Sequence, residues 1–421
     1  MTPPPVAEDQ SAGWPDRPVE RPASEVRLAG LVLLALRSVA PAAVGLTLST
    51  LLAEELGAGE VQLYLTDYQM LTLHLIFGSA LTQEPALPQP MEGSSLGEVF
   101  LTQRPVVAPT SNGELSVLVP VTVRGQRLGV LRALLPARDD ATATAIGPDA
   151  RVDALRTAAD VLAHVVIEAS TGSDVFEVTR RSSRFTVAAE MQWQLLPGRA
   201  IHTPAYTLAG LVEPAPYVQG DAFDWSADGD ALTLCAVHVS GHGQSAALLS
   251  TLAVTALRNA RRAEIALADQ TCLANQAVYA EYDGDRHVSA LLMRIDPAGR
   301  AQVVDAGSPA LLRWRGQSGE RLHLDAQMPL GMFDDTPYTT QDVQLEPGDR
   351  LLIATPGALD ATSPQGQRFG EGGLLRQLEL TRTLPPQELA RKVIAALVAH
   401  QGQALASDAS VLCLDWRGSS R

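Results

Sequence analysis

Two short segments of the chain carry side chains that could bind a metal ion. The first contains Asp221 and Asp224, and the second contains His238 and His242. Aspartate oxygens are the hard ligands that Mg²⁺ and Mn²⁺ prefer, whereas imidazole suits Zn²⁺ and other transition metals. The four residues are near one another in sequence and could meet at one ion, so metal binding is the chemistry that these segments could support.

Further motifs surround these segments in the second half of the chain. They are Gln192–Pro197 (QWQLLP), Val218–Asp224 (VQGDAFD), Ser240–Gly243 (SGHG), Asp305–Pro309 (DAGSP) and Leu345–Asp349 (LEPGD). In this order they resemble the motifs of the bacterial PP2C-type serine/threonine phosphatases of the SpoIIE/RsbU kind. The resemblance implies an α+β fold for residues 198–421, with two antiparallel β-sheets forming a sandwich flanked by helices.

The same resemblance implies a reaction and its cofactors. In this family two Mn²⁺ or Mg²⁺ ions hold a water molecule that attacks the phosphorus of phosphoserine or phosphothreonine. Two dications held about 3.5–4 Å apart need several negative ligands, and the family supplies four aspartates. An intact site would therefore need two Mn or Mg ions as cofactors.

Only one of the four family aspartates is retained, at Asp221. The bridging position falls on His238, whose neutral ring offers one lone pair and cannot bridge two ions. The third falls on Pro356, which has no ligand atom, and the fourth on Ser407, a neutral hydroxyl. Asp408 is adjacent to the fourth position, but strand alternation predicts that it points elsewhere.

These losses favour a domain that binds no metal and hydrolyses no phosphate ester. The chain is then a bacterial signalling regulator whose pseudophosphatase domain binds a protein, such as a phosphorylatable anti-sigma-factor antagonist or an active paralogue. The alternative is an active phosphatase with a rewired site. The residues that could assist such a site are Asp224, Val239, Gly241, His242 and Asp408.

The first half of the chain predicts a separate sensor domain. Residues 1–25 are a Pro-rich segment with the composition of a disordered tail. Residues 26–170 predict helices, antiparallel strands that include a hairpin across Arg124–Gly125, and a closing helix. This order resembles a GAF domain, and the small molecule it would bind is not identified. Residues 171–197 predict a linker helix that carries a signal between the two domains and pairs in a homodimer.

Composition limits the classes of binding partner and the cellular compartment that we expect. A net charge of −15 argues against nucleic acid, because phosphate binding needs clustered Lys and Arg. The run Leu28–Ala53 is apolar but contains Arg37 and Pro41, which favours buried helices over a membrane span. Three unpaired cysteines and a polar N-terminus without an apolar core predict a cytoplasmic protein.

Overall fold

The computed structural model describes residues 23–78, 87–136, 148–181, 186–228, 231–307, 309–402 and 404–418. The predicted disordered tail lies outside this part of the chain except for its last three residues, which begin the first helix. That helix, α1 (Ala23–Leu36), is followed by a 3₁₀ turn (Pro41–Ala43) and by α2 (Val44–Leu56). Pro41 begins the 3₁₀ turn because its fixed φ suits a first helical position.

The apolar run Leu28–Ala53 therefore forms two buried helices, as predicted. Leu28, Val32 and Leu36 of α1 and Leu48 and Leu52 of α2 lie in one core cluster, at the spacing of a helix face. Among the helices of the described residues, none is long and apolar enough to cross a membrane.

The N-terminal part is built on one antiparallel sheet with four helices. Its strands and remaining helices are β1 (Val61–Thr66), β2 (Thr72–Gly78), β3 (Gln89–Pro90), α3 (Ser95–Thr102), β4 (Val106–Pro109), β5 (Glu114–Val123), β6 (Gln126–Pro136) and α4 (Pro148–Ser170). The strand order is β3-β2-β1-β6-β5-β4. The predicted hairpin is present: β5 and β6 join at Arg124 and Gly125, both with positive φ, which matches the twist of paired strands.

The two faces of this sheet have different neighbours. Helices α1, α2 and α4 pack with one face in a core of their own. Tyr64 and Leu73 of the other face, together with Phe100 of α3, join a cluster that also contains Val393 and Leu397 of the C-terminal part. The two parts of the chain therefore share buried apolar contacts.

The sequence predicts one linker helix, and the structure contradicts this prediction. Two short helices stand there instead, α5 (Val175–Arg180) and α6 (Val187–Leu195). Arg181 has an extended backbone, and the hydroxyl of Thr186 accepts a hydrogen bond from the backbone N–H of Ala189, which starts a new helix. The amphipathic pattern continued across this break, so periodicity alone did not reveal it.

The C-terminal part contains two antiparallel sheets and five helices. Its elements are β7 (Ala200–His202), β8 (Tyr206–Glu213), β9 (Ala222–Asp228), β10 (Ala231–Val239), α7 (Gln244–Arg262), α8 (Leu267–Tyr282), β11 (Val288–Ile295), β12 (Arg300–Ala306), β13 (Ala310–Arg315), β14 (Ser318–Arg321), β15 (Gln341–Gln344), β16 (Arg350–Ala354), α9 (Pro356–Asp360), α10 (Gly370–Leu380), α11 (Pro386–Gln401) and β17 (Ala409–Trp416).

These elements form four layers, which confirms the predicted sandwich. One sheet has the order β15-β12-β11-β10-β9 and the other β14-β13-β16-β17-β8-β7. Residues from both sheets, such as Leu234 of β10 and Ile353 of β16, share the core between them. Helices α7 and α8 pack outside the first sheet, and α10 and α11 pack outside the second.

Candidate functional site

The candidate site lies where the core between the two sheets ends. Side chains alternate along a strand, and Leu234 and Ala236 of β10 face the opposite sheet, which aims His238 the same way. In β16, Leu351 and Ile353 face the first sheet, so Thr355, directly after the strand, continues that face. The two sheets thus bring His238 and Thr355 to the same end of the sandwich.

Asp221 stands between these two side chains and is fully buried. Its Oδ1 lies 2.6 Å from Nδ1 of His238. Its Oδ2 accepts a hydrogen bond from the hydroxyl of Thr355, and the same hydroxyl oxygen accepts one from the backbone N–H of Ser410 at 2.9 Å. Both carboxylate oxygens of Asp221 are therefore engaged by side chains of the protein.

The charge of His238 is set by its acidic surroundings. Burial lowers the pKa of His238, but the hydrogen bond and charge of Asp221, with the charges of Asp408 and Asp360, raise it above its ordinary value overall. The raised pKa favours protonation of this ring relative to a free imidazole, and the protonated ring would pair with Asp221. An imidazole therefore stands at the position that the resemblance assigns to a bridging carboxylate.

Asp408 lies beside this pair, which corrects the prediction that it points elsewhere. Its Oδ1 accepts from the backbone N–H of Ala215 at 2.7 Å, and its Oδ2 accepts from those of Gln219 at 2.8 Å and Gly220 at 2.9 Å. The side-chain amide of Gln192 adds a bond of 2.8 Å to Oδ2 and a second bond, of 2.7 Å, to the carbonyl of Asp221. Even-numbered residues of β17 face the first sheet, and Asp408 continues that alternation just before the strand.

This fully buried carboxylate organises the loop that ends at Asp221. Burial and the charge of Asp221 raise the pKa of Asp408 to about 6, against the opposing effect of the backbone bonds. We call residues 215–221 the Asp408-bound loop. Gly220 has a φ of +79° in it, and a Cβ there would lie 2.7 Å from the carbonyl oxygen of Ala246, so only glycine fits this turn.

Pro356 and Ser407 lie close together but bring no ligand. Pro356 occupies the first turn of α9, and a Cβ on the next residue, Gly357, would lie 3.4 Å from Cβ of Ser407. Ser407 lines a cavity of about 110 Å³ with Gly357 and Asp360. An imino acid and a neutral hydroxyl thus occupy the two positions that the resemblance assigns to metal ligands.

The residues named for a rewired site are not gathered around one ion. Asp224 is buried against two arginines of α7, with Arg258 at 2.7 Å and Arg261 at 2.8 Å from its oxygens. His242 is exposed, whereas Val239 is buried and pairs with Val288 of β11. Gly241 has a φ of +106° and serves the turn. The alternative of one ion shared by Asp221, Asp224, His238 and His242 therefore lacks the geometry it needs.

The side chains present do not fit a dinuclear Mn or Mg centre. Within the described residues no three His, Cys, Asp or Glu side chains are grouped so as to hold a metal ion. Asp221 is bonded on both oxygens, and Asp408 is occupied by backbone N–H groups. Hard divalent cations need free anionic oxygens, which this arrangement does not offer.

Comparison with known proteins identifies the domain. Residues 228–417 match the family model described as Stage II sporulation protein E (SpoIIE). The C-terminal part is therefore similar to SpoIIE-type domains, and we call it the SpoIIE-type domain. A search of the curated proteins found no match.

Solved structures similar to the chain include three PP2C-type proteins. The SiaA PP2C domain of Pseudomonas aeruginosa is 24% identical, with 55% of this chain and 94% of that chain covered and a TM-score of 0.48. The RsbU and RsbW domains of a Mycobacterium tuberculosis protein are 22% identical, with 52% of this chain and 62% of that chain covered and a TM-score of 0.45. The serine/threonine phosphatase PstP, solved with two manganese ions, is 14% identical, with 50% of this chain and 98% of that chain covered and a TM-score of 0.40.

Sequence reasoning missed two polar partners of Asp221 in the SpoIIE-type domain. Thr355 directly precedes Pro356, and Gln192 begins the QWQLLP motif. Neither position indicates from sequence a contact with Asp221. Both are buried, at 0% and 2% exposure. Buried polar residues are almost always hydrogen-bonded, so a Gln inside an otherwise apolar helix face was the available signal.

Proposed function

We propose that the SpoIIE-type domain is a pseudophosphatase, which keeps the phosphatase fold without its dinuclear metal centre and acts in signalling by binding a protein. The observation that carries this proposal is the state of Asp221. This one retained family aspartate has both oxygens bonded inside the protein, to His238 and to Thr355.

Charge balance supports the same conclusion. Four aspartates would offset most of the charge of two dications, whereas His238, Pro356 and Ser407 contribute no negative charge. A cationic His238 would also repel an incoming metal ion at a distance where Coulomb energies are large in a protein interior. The pocket is therefore neutralised by the protein itself.

A phosphatase assay tests the proposal directly. We expect no Mn-dependent hydrolysis of p-nitrophenyl phosphate or of a phosphoserine peptide by the purified full chain. A SpoIIE-type relative with all four aspartates, assayed in the same buffer, serves as the positive control. Metal-dependent turnover by this chain at a rate near that of the control would overturn the proposal.

The N-terminal part is proposed to be a GAF-like sensor, with the segment between the parts as its link to the SpoIIE-type domain. Its sheet carries helices on one face and meets the other part of the chain on its second face. This arrangement supports a role in which a small molecule bound by the sensor changes the second domain. A homodimer through the linker is part of the same proposal.

The proposed partner is a phosphorylatable antagonist of an anti-sigma factor, or an active SpoIIE-type paralogue. The match of residues 228–417 to the SpoIIE family supports a partner of this class. Calorimetry with purified antagonist, in its phosphoserine and unphosphorylated forms, would test it. Saturable binding of either form without loss of phosphate is the expected result, and binding of neither the antagonist nor the paralogue would contradict it.

A further inference from the structure

The β1–β2 turn of the N-terminal part reaches into the SpoIIE-type domain. We call residues 67–71 the docking turn. The carboxylate of Asp67 accepts hydrogen bonds from the backbone N–H groups of Leu71 at 2.9 Å and Thr72 at 3.1 Å, which closes the turn. Met70 adopts a φ of +56° with its side chain 1% exposed, a strained conformation that persists only where the surroundings fix it.

Three successive residues of the docking turn contact three different elements. Tyr68 packs on Trp193 of α6, with ring centroids 5.0 Å apart. The side-chain amide of Gln69 donates to Oε1 of Glu213, at the end of β8, over 2.7 Å. Met70 lies in the core shared with α11, where the amide of Gln387 is 3.1 Å from its sulfur.

The first of these contacts leads to Asp408 through α6. Trp193 follows Gln192 in the helix, and Gln192 donates both to Asp408 and to the carbonyl of Asp221. Tyr68 is further held by Arg199, whose guanidinium lies 5.3 Å from the Tyr68 ring centroid and 5.5 Å from that of Trp193. A shift of Tyr68 would therefore move the helix that carries Gln192.

The second contact leads to the same carboxylate through β8. Glu213 pairs in register with Ala409, the residue after Asp408, and lies two residues before Ala215, whose N–H bonds to Asp408. Gln69 supplies the hydrogen bond to Glu213, and the nearby charges of Asp67 and Asp408 are both repulsive to it. Without the Gln69 amide, a partly buried carboxylate loses its donor beside two other acids, and the strand end has to move to reach water.

We propose that the docking turn controls the conformation of the Asp408-bound loop, through Tyr68–Trp193–Gln192 and through Gln69–Glu213, two routes that meet at Asp408. The loop carries Tyr217, which is 79% exposed, and ends at Asp221. A change in the N-terminal part that tilts the docking turn is transmitted to this surface beside the former metal site. The device does not depend on whether the domain binds metal or a partner.

Hydrogen exchange of the full chain, read by mass spectrometry on peptides covering residues 214–222, tests the proposal. Gln69→Glu places two carboxylates together, and we expect exchange in the loop to accelerate about tenfold or more, since amides held by native bonds exchange through local opening. Gln69→Glu combined with Glu213→Gln restores the hydrogen bond with its direction reversed, and should return the rate to near that of wild type. If Gln69→Glu alone does not fold, Gln69→Leu removes the donor without adding charge and carries the same expectation.

A matched control separates this device from general loosening of the interface. Glu92 bonds Arg391 at 3.0 Å and Lys392 at 2.7 Å across the same interface but belongs to neither of the two proposed routes. Glu92→Gln should leave loop exchange unchanged. Unchanged exchange in the Gln69 variants, no rescue by the reversed pair, or equal acceleration by Glu92→Gln would each overturn the proposal, and none of these readouts involves metal or phosphatase activity.

Discussion

Asp408 has a structural task in the candidate site. It is fully buried, and its two oxygens accept bonds from four backbone N–H groups and one side-chain amide. Hydrogen bonds to an ionised acceptor are worth roughly 1.5–3 kcal/mol each, more than neutral ones. The loop that presents Asp221 therefore depends on Asp408 as its common anchor.

Replacing this anchor should destabilise the fold. Asp408→Asn keeps one carbonyl acceptor but turns an amide N–H₂ toward backbone donors, and we expect a loss of about 2–4 kcal/mol in the free energy of unfolding. Urea unfolding followed by circular dichroism measures it. Asp342→Asn, which breaks an exposed pair with Arg300, is the control and should leave the midpoint unchanged. A similarly small effect at Asp408 would show that the loop is held by other contacts.

Helix α11 is one of the elements that join the two parts of the chain. One of its turns carries the buried pair Glu388 and Arg391, whose residues are 5% and 4% exposed. The guanidinium of Arg127 in β6 lies 3.6 Å from the carboxylate of Glu388. Burial lowers the pKa of Arg127, and the charge of Glu388 opposes that effect. Such a buried cluster costs desolvation energy and is stabilised only while its charges remain paired.

Removing the carboxylate of Glu388 should leave the desolvation energy of the two arginines uncompensated. Glu388→Gln leaves two buried guanidinium groups without their shared counter-ion, and we expect the free energy of unfolding to fall by about 3–5 kcal/mol. Differential scanning calorimetry would record the lowered transition. Glu371→Gln, at a more exposed contact with Arg321, provides a control with a much smaller expected shift. If both variants melt alike, the α11 cluster does not stabilise the interface.

The sequence predicted elements well where their pattern was local. The β5–β6 hairpin followed from alternation around Arg124–Gly125, and α1 and α2 followed from the apolar run broken by Pro41. The linker helix was predicted as one element because its apolar spacing continues through a stretch where Thr186 starts a new helix. Local capping chemistry overrode a periodic pattern there.

The site was less accessible to sequence reasoning because it is made by long-range pairing. The prediction that His238, Pro356 and Ser407 replace metal ligands rests on the motifs alone. The partners of Asp221 could not, because Thr355 lies 134 positions away along the chain and meets it only when the two sheets pack. The orientation of Asp408 was predicted wrongly for the same reason.

At the scale of the whole molecule, Glu213 makes the interface between the two parts sensitive to pH. Burial raises the pKa of Glu213 from an ordinary 4.5 to about 7, partly offset by the bond from Gln69. A raised pKa means that the folded protein holds this proton more tightly than the unfolded chain does. The resulting stability is present below the unfolded pKa and is lost as pH rises through the folded value.

Replacing Glu213 with a residue that does not titrate should remove this loss of stability at higher pH. We expect Glu213→Gln to gain stability relative to wild type as the pH is raised from about 5 to about 8, with the change concentrated between the two pKa values. Urea unfolding of both proteins across this range gives the difference at each pH. A difference that stays constant with pH would mean that Glu213 titrates normally.

Calorimetric titration with Mn²⁺ of the full chain and of the variant His238→Asp/Pro356→Asp/Ser407→Asp tests the central claim most directly. We expect no saturable heat for the wild-type chain, because Asp221 is engaged by His238 and Thr355. The variant restores three carboxylates on a preserved backbone and should show saturable binding. Saturable binding of two Mn²⁺ ions by the wild-type chain would contradict the account.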